Sequence, residues 1–391
     1  MTAPLPPREP LLRALIDICG PGFARPASKA DTVAGRRASY VAAPATTDAV
    51  VETMRLAQER GLAVVARGNG SKIDWGIPPP GVDLLIDTVR LAGVWHHRPE
   101  QMSAEVGMGT PVRAMQAAFA LRGQRMAVDP PSPNATLGGM LAVNEAGPLR
   151  LRSGPPSSHV ARVTYVDADG TARESDGEDG KPGLAEIPGV MLSARLRLES
   201  LPPARRWVTV PLPNPLQMRY AVEETLGLDI APSAIEVDLP ISAPGRTAGR
   251  PAGTLAILLE GDPVVLADRA AHLAGVLGDN ASASELAPAW WGRYPFGRYD
   301  VALRISVAIA DLHAALYALG DAAGRPIPVR GSAGIGSVHA VLPGSLPAER
   351  IEQILDSLRS VLMARGGRAA IVSAPPDIAA EIDMASRAEM F

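Results

Sequence analysis

The feature that most constrains the fold is a glycine-rich loop placed directly after a helix and a strand. The segment Thr46 to Arg60 has helical spacing of apolar residues behind a Thr-Thr-Asp cap, and Gly61 suits a helix end. Leu62 to Ala66 is predicted to be a buried strand, and the run RGNGSK follows at residues 67–72. Two glycines in this run permit positive φ and allow successive backbone N–H groups to face one anion. The run therefore predicts a diphosphate cradle flanked by Arg67 and Lys72, with an ordinary loop as the alternative.

A second stretch with the same character is DPPSPNATLGGMLA at residues 129–142. Its prolines fix a rigid approach, and Thr136 with Gly138 and Gly139 would permit the backbone to come close to a ligand. A proline-stiffened connection is the alternative interpretation. Neither stretch has the GxxxxGK[ST] spacing of a P-loop or the GxGxxG spacing of a dinucleotide fold.

The remaining pattern predicts two domains of mixed α and β structure. Further strands are expected at 83–87, 103–107, 125–128, 161–167 and 190–199, and a helix capped by Thr110 is expected to run to about Arg122. Leu201-Pro202-Pro203 is typical of a domain boundary. Beyond it, strands expected at 255–259, 302–307 and 368–373 alternate with helices expected at 262–277 and 346–365, as in a smaller domain with a mostly antiparallel sheet. The Gly- and Pro-rich segment 242–253 is either a surface loop or a disordered insertion.

Composition excludes several classes of protein. The 391 residues carry a net charge of −3, which argues against a nucleic-acid surface. Cys19 is the single cysteine, so the chain cannot form an internal disulfide or ligate an iron–sulfur cluster by itself. No apolar run is long enough to span a membrane, and the N-terminus has no signal-peptide pattern. A cytoplasmic location is expected, with attachment to a membrane through a partner as the alternative.

The two motifs, in this order and separation, resemble the FAD-binding domain of the vanillyl-alcohol oxidase and p-cresol methylhydroxylase (PCMH-type) family. Within that family the chain resembles the FAD-binding E subunits of glycolate oxidases. The matching runs are RGNGSK with Trp75-Gly76, VGMGT at 106–110, the 129–142 stretch and GPLRLR at 147–152. In the second domain the matching runs are LRISV at 303–307 and GSAGIG at 331–336 with His339.

The resemblance implies a two-part PCMH-type FAD-binding domain followed by a smaller α+β cap domain. It divides the chain into an N-terminal helical segment (1–43), the FAD-binding domain (44–203) and the cap (204–391), which ends earlier than in the family. It also implies that FAD is bound non-covalently, by these residues: Arg67, Gly68, Asn69, Gly70, Ser71, Lys72, Pro131, Ser132, Thr136, Gly138, Gly139 and Val190. Val190 is included because 188–191 corresponds to the strand whose backbone meets the adenine.

By the same resemblance, the function expected is that of a glycolate-oxidase-like, FAD-dependent oxidoreductase subunit that oxidises a small 2-hydroxy acid. Its expected partners are a larger flavin subunit and an iron–sulfur subunit. The alternative is a non-catalytic relative with a structural or regulatory role. Two departures favour that alternative: the segment 176–187 is shorter and more acidic than in the family, and the chain ends at Phe391, where the family's tail would begin.

Other candidate residues have simple interpretations. His96 and His97 are adjacent, so an extended backbone directs them to opposite sides, and no metal site is predicted. His339 is either a substrate-facing residue or a structural hydrogen-bonding group. The aromatic cluster around Trp290 and Trp291, with Tyr294, Phe296 and Tyr299, either lines a pocket, docks a partner or belongs to the cap core. No residue is assigned as a catalytic base.

Overall fold

The computed structural model describes residues 8–176, 184, 187–240 and 253–382. These residues form two compact units, of which unit 1 contains 8–74, 78–145 and the described part of 155–201. Unit 2 contains 75–77, 146–154 and the described part of 202–382. The short segments 75–77 and 146–154 thus belong with the second unit, although the sequence assigned them to the first domain. Most of the shortened segment 176–187, most of the 242–253 loop and the chain end at Phe391 lie outside the described residues.

Unit 1 begins with a helix and alternates short strands with helices. Its helices are α1 (Arg8–Cys19), α2 (Thr47–Glu59), α3 (Val112–Ala120) and α4 (Leu137–Ala142). Its strands are β1 (Ala24–Pro26), β2 (Thr32–Val33), β3 (Arg36–Arg37), β4 (Tyr40–Ala42), β5 (Val64–Arg67), β6 (Leu84–Asp87), β7 (Val94–Arg98), β8 (Ser103–Gly107), β9 (Gln124–Arg125), β10 (Val160–Asp167), β11 (Ala172–Ser175), β12 (Gly189–Arg197) and β13 (Glu199–Ser200).

Two larger sheets organise the described part of unit 1. The first has the order β1-β4-β6-β5, and β6 pairs in parallel with both β4 and β5. Parallel pairing places the ends of β5 and β6 at the same edge, so the glycine-rich loop leaves the sheet there. The second sheet is antiparallel and has the order β11-β10-β12-β8-β7. Apolar side chains from α2, β6 and β12 form one core, in which Val50, Ile86 and Leu192 are buried.

Two local predictions for unit 1 were wrong, and one helix was not predicted. β5 is only half-buried, with Ala66 exposed, because it is the edge strand of its sheet. Thr110 does not cap α3: its hydroxyl donates to Gly107 O at 2.6 Å, and Pro111 stands at the cap position. Residues 137–142, to which the sequence assigned no element, form a helix capped by Thr136, whose Oγ1 accepts from Gly139 N at 3.2 Å.

Unit 2 contains one sheet of eight described strands, together with several helices. Its helices are α5 (Arg150–Ser153), α6 (Pro215–Gly227), α7 (Pro263–Leu277), α8 (Leu312–Ala323), α9 (Ala348–Met363) and α10 (Pro376–Glu381). Its strands are β14 (Ala204–Leu212), β15 (Ala234–Leu239), β16 (Gly253–Gly261), β17 (Ser282–Ser284), β18 (Asp300–Ser306), β19 (Val329–Ser332), β20 (Ser337–Pro343) and β21 (Arg368–Ser373).

The sheet of unit 2 confirms the predicted antiparallel α+β class. Its described strands run in the order β17-β14-β16-β15-β19-β20-β18-β21, and every neighbouring pair is antiparallel. Alternate residues such as Leu303, Ile305 and Ala340 pack against helix residues such as Leu316 and Leu355 in one core. The opposite face of β18 and β20 carries the intervening residues, among them Arg304 and His339. No helix in the described parts of either unit is long and apolar enough to cross a membrane.

Candidate functional site

The two glycine-containing stretches singled out in the sequence lie against each other in unit 1. Gly70 has φ +68°, which turns the loop after β5 back on itself and favours glycine at this position. A Cβ added at Gly68 would lie 3.0 Å from Thr136 Cγ2 and closer still to Thr136 Oγ1. Asn69 Nδ2 donates to Asn134 O at 3.0 Å. Only a glycine at 68 therefore permits this close approach of the two loops.

The backbone amides of the loop are directed away from protein acceptors. Within the described part of the chain, the N–H groups of Gly68, Asn69, Gly70 and Ser71 donate to no other protein group, and neither does that of Thr136. The single backbone bond across the turn is accepted rather than donated, by Gly70 O from Ile73 N at 3.2 Å. A run of such N–H groups in a turn can form a nest for an anion. The amides are thus available to phosphate oxygens.

Arg67, the first cationic residue of the loop, forms ion pairs with two carboxylates of the protein. Arg67 donates to Asp31 Oδ1 and to Asp87 Oδ2, both at 3.0 Å. Asp31 also accepts from Arg25 at 2.7 Å and from Ser28. The hydrogen bond from Arg25 is the largest of the effects that hold the pKa of Asp31 well below its usual range. Arg67 therefore fastens the base of the loop to two carboxylates, and its contact with the cofactor stays a prediction.

Lys72 is similarly engaged, in a buried ion pair with Glu145. Only 4% of the Lys72 side chain and 1% of the Glu145 side chain are exposed. Glu145 Oε1 also accepts from Ser132 Oγ at 2.7 Å and from Ser132 N at 3.1 Å. A carboxylate buried this deeply needs a cation, and Lys72 supplies it. Lys72 and Ser132 thus join the two loops through Glu145, and contact of either residue with the cofactor stays a prediction.

The backbone N–H groups of Gly138 and Gly139 are bonded within the protein. Gly138 N donates to Met108 O at 2.9 Å, and Gly139 N donates to Thr136 Oγ1. A Cβ at Gly138 would lie 3.0 Å from Met108 Cβ, so this glycine permits α4 to pack closely on the neighbouring chain. Contact of Gly138, Gly139 and the half-buried Pro131 with the cofactor stays a prediction.

The last predicted cofactor residue, Val190, lines a cavity. This cavity of 280 Å³ lies in unit 1, and Val190 is buried in its wall. The lining residues are Met54, Ala57, Gln58, Leu62, Val64, Ala66, Ala168, Pro188, Gly189 and Val190. Ala66 directly precedes the glycine-rich loop, so the cavity and the unpaired amides are adjacent along the chain. A largely apolar cavity beside an anion nest suits a nucleotide that carries phosphates.

These observations test whether the residues present fit a dinucleotide cofactor. The unpaired amides of 68–71, the close approach at Gly68 and the cavity at Val190 all fit one. The donors that remain are backbone N–H groups and neutral side chains, so a bound diphosphate would rely on oriented dipoles rather than on free cations. Non-covalent attachment of the cofactor stays a prediction.

Comparison with known proteins shows what the chain is similar to. A model described as an FAD binding domain matches residues 38–176. Two strains of Mycobacterium tuberculosis have an uncharacterized FAD-linked oxidoreductase that is 27% identical over 216 residues, or 51% of this chain and 46% of that protein. The glycolate oxidase subunit GlcE of Escherichia coli is 29% identical over 134 residues, 34% of this chain and 38% of the subunit. The chain thus spans less than half the length of these relatives.

Other matches extend the comparison to a further activity and to solved structures. D-lactate dehydrogenase of Archaeoglobus fulgidus is 25% identical over 130 residues, 33% of this chain and 29% of that enzyme. A structure of alkyldihydroxyacetonephosphate synthase has a TM-score of 0.73 at 16% identity, covering 94% of this chain and 81% of the synthase, which shows a shared fold. Residues 38–176 therefore match an FAD-binding domain, the cofactor is FAD, and the chain is similar to FAD-linked oxidoreductases.

In unit 2, the predicted aromatic cluster separates into three groups. Tyr294 and Phe296 stack with ring centroids 4.9 Å apart, and Trp75 packs on both. Trp290 lies beside Trp291, which packs edge-on against Trp207. Tyr299 is exposed. The group of Trp75, Tyr294 and Phe296 lies outside the hydrophobic core of unit 2, and it also contacts a histidine.

That histidine is His339, whose ring lies 5.0 Å from Tyr294 and 5.8 Å from Phe296. Desolvation, followed by the charge of Arg304, lowers the pKa of His339 to about 3. The imidazole is thus neutral near pH 7. The other two histidines discussed above lie in unit 1. His97 Nε2 is 2.8 Å from Gln124 Oε1, and His96 is exposed on β7.

Sequence reasoning missed two acidic residues that shape the site. Glu145 ties Lys72 to Ser132, and Asp31 ties Arg67 to Arg25. The signal available in the sequence was indirect: an acidic residue soon after the apolar run of 137–143 is unusual if that run is buried. Asp31 gave no such signal, because it lies in a polar stretch that favours no particular partner.

Proposed function

We propose that this chain is an FAD-dependent oxidoreductase subunit that oxidises a small 2-hydroxy acid. The observation that carries the proposal is the run of unpaired amides from Gly68 to Ser71, set against Thr136. Relatives described as a D-lactate dehydrogenase and as a glycolate oxidase subunit support the substrate class, each over about a third of the chain. Both lactate and glycolate are 2-hydroxy acids.

The residues of the chain have distinct tasks in this function. The amides of 68–71 bind and orient the diphosphate, while the Lys72–Glu145 pair and the Arg67 contacts keep the loop in shape. When bound, FAD supplies a two-electron acceptor: the acid loses a hydride from its carbon and a proton from its hydroxyl and becomes a 2-oxo acid. The apolar walls of the cavity at Val190 exclude water from the part of the cofactor beside them.

Partners are the second part of the proposal. Cys19 is the only cysteine, so one-electron transfer through an iron–sulfur cluster requires another chain. We propose that the chain works with a larger flavin subunit and an iron–sulfur subunit, in keeping with its similarity to a named subunit of glycolate oxidase.

The test is the visible spectrum of the purified protein with and without added FAD. Bound flavin gives two absorption bands, and anaerobic addition of glycolate or D-lactate should bleach them if the acid is oxidised. Gly70→Val should abolish flavin uptake, because valine disfavours the positive φ at this position and puts a side chain among the amides. Full FAD occupancy in Gly70→Val would show that another loop holds the cofactor. A protein that binds FAD without bleaching by any 2-hydroxy acid would favour the non-catalytic alternative.

A further inference from the structure

Three neighbouring strands of unit 2 place charged and polar side chains in one row. In the sheet register, Arg330 on β19 is opposite His339 on β20, and His339 is opposite Arg304 on β18. The residues on either side of Arg304, Leu303 and Ile305, belong to the core beneath the helices. Because side chains alternate between the two faces of a strand, Arg304 and His339 both project from the face opposite that core.

The arginines of unit 2 differ in whether they have an acidic partner. Arg330 donates to Asp238 Oδ1 at 2.7 Å, and Arg205 donates to Glu260 Oε1 at 2.9 Å. Arg304, by contrast, forms no ion pair or side-chain hydrogen bond with any residue that the structure describes, and neither does Arg150 of α5. Both side chains are partly withdrawn from water, since desolvation lowers the pKa of each guanidinium.

The positive charge of Arg150 also acts on the guanidinium group of Arg304. The charge of Arg150 adds to the lowering of the Arg304 pKa, and the charge of Arg304 adds to that of His339. Placing two like charges together in a partly desolvated site costs stability unless an anion offsets them. Each guanidinium presents a planar fork of N–H donors that matches a carboxylate. The fold therefore sustains an arrangement that a bound carboxylate would stabilise.

The surroundings of Arg304 limit the size and polarity of its ligand. Tyr294 and Phe296 stack beside His339, and Trp75 packs against both rings, so one side of the site is aromatic. His339 is neutral and adds no third positive charge, while its imidazole can hydrogen-bond to a hydroxyl or carbonyl group. Such a site suits a ligand with one carboxylate and a short, weakly polar remainder.

We propose that Arg304 binds the carboxylate of a small organic acid, with the rings of Trp75, Tyr294 and Phe296 packed against the rest of the ligand. This inference rests on the proposed function, because the ligand would be the 2-hydroxy acid that the chain is proposed to oxidise. The binding of the anion itself requires no oxidation, and it can be measured separately.

The experiment is isothermal titration of the purified protein with oxamate, a monocarboxylate that resembles a 2-oxo acid but offers no hydrogen for hydride transfer. Wild type should bind oxamate, and lactamide, which lacks the negative charge, should bind at least tenfold more weakly. Arg304→Met should weaken oxamate binding at least tenfold, and Arg304→Lys should restore part of it, because it keeps the charge without the fork. The matched control is Arg219→Met, which removes an arginine from a surface ion pair on α6 and should leave binding unchanged.

Thermal unfolding guards against a loss of binding caused by misfolding. Because Arg304→Met removes an unpaired and partly desolvated charge, its melting temperature should equal or exceed that of wild type, whereas a structural arginine would lower it. Oxamate binding that is unchanged in Arg304→Met, or inorganic phosphate binding more tightly than oxamate, would overturn the inference. If oxamate binds through Arg304 but no 2-hydroxy acid bleaches the flavin, the proposed oxidation fails while the carboxylate site stands. If a 2-hydroxy acid bleaches the flavin of Arg304→Met with the same half-saturating concentration as in wild type, the proposed oxidation stands and the carboxylate site fails.

Discussion

Replacement of Lys72 by methionine tests whether this residue fastens two loops or binds phosphate. Methionine keeps most of the apolar length of the side chain and removes its charge, leaving Glu145 buried at 1% exposure without its cation. Breaking a buried pair in this way costs roughly 3–5 kcal/mol. For a unit of this size the melting temperature should fall by about 6–20 °C. Thermal unfolding of the FAD-free protein, followed by circular dichroism, measures that shift.

A second substitution separates the two roles of Lys72. In Lys72→Met with Glu145→Gln, the buried charge is gone and the amide oxygen still accepts the hydrogen bonds from Ser132, so most of the lost stability should return. FAD affinity of the double variant, measured by fluorescence titration, should stay within about threefold of wild type. The control is Arg162→Gln, which breaks an exposed ion pair with Glu174 and should cost less than about 1 kcal/mol. A double variant that regains stability but binds FAD more than tenfold more weakly would refute the assignment of Lys72 as a fastening residue.

Two further substitutions test other parts of the structure. Gly68→Ala should weaken FAD binding at least tenfold, because the new Cβ would clash with Thr136 and separate the two loops. The control is Gly81→Ala, where no atom lies within 4 Å of the new Cβ and FAD binding should not change. Equal FAD affinities of the two variants would contradict the close approach of the loops. His339→Asn should reduce the loss of stability between pH 7 and pH 4. In wild type the pKa of folded-state His339 is about 3, below the ordinary value of 6.5. As the pH falls below 6.5, the unfolded chain takes up a proton at this residue while the folded chain does not, so the free energy of unfolding decreases. At pH 5 the loss is about 2 kcal/mol, and identical pH profiles of melting temperature would contradict it.

The sequence predicted the frame of both units because their signals are local. The cap of α2 at Thr46, strand β8 and strand β21 follow from capping chemistry and alternation of apolar residues. The helix α4 was missed because Gly138 and Gly139 disfavour helix in isolation, while tertiary packing on Met108 requires a residue without a side chain.

The candidate site was less predictable than the frame for a physical reason. The sequence located the amides of Gly68 to Ser71, because glycine spacing after a strand determines backbone conformation. It could not show that Arg67 and Lys72 are neutralised by Asp31 and Glu145, since these partners are brought together by folding. In unit 2 the position of Arg304 on a strand was expected, but its lack of an acidic partner is visible only when the surrounding residues are placed.

Hydrogen exchange at the glycine-rich loop tests the central claim most directly. The amides of 68–71 have no protein acceptor, so in the FAD-free protein a peptide covering residues 67–72 should exchange rapidly. Saturating FAD, monitored by its absorption bands, should slow exchange in that peptide and leave the already bonded amides of Val112–Ala120 unchanged. Mass spectrometry of the two states measures both peptides. Spectrally complete FAD binding with no protection of residues 68–71 would contradict the account, because the diphosphate would then be held elsewhere.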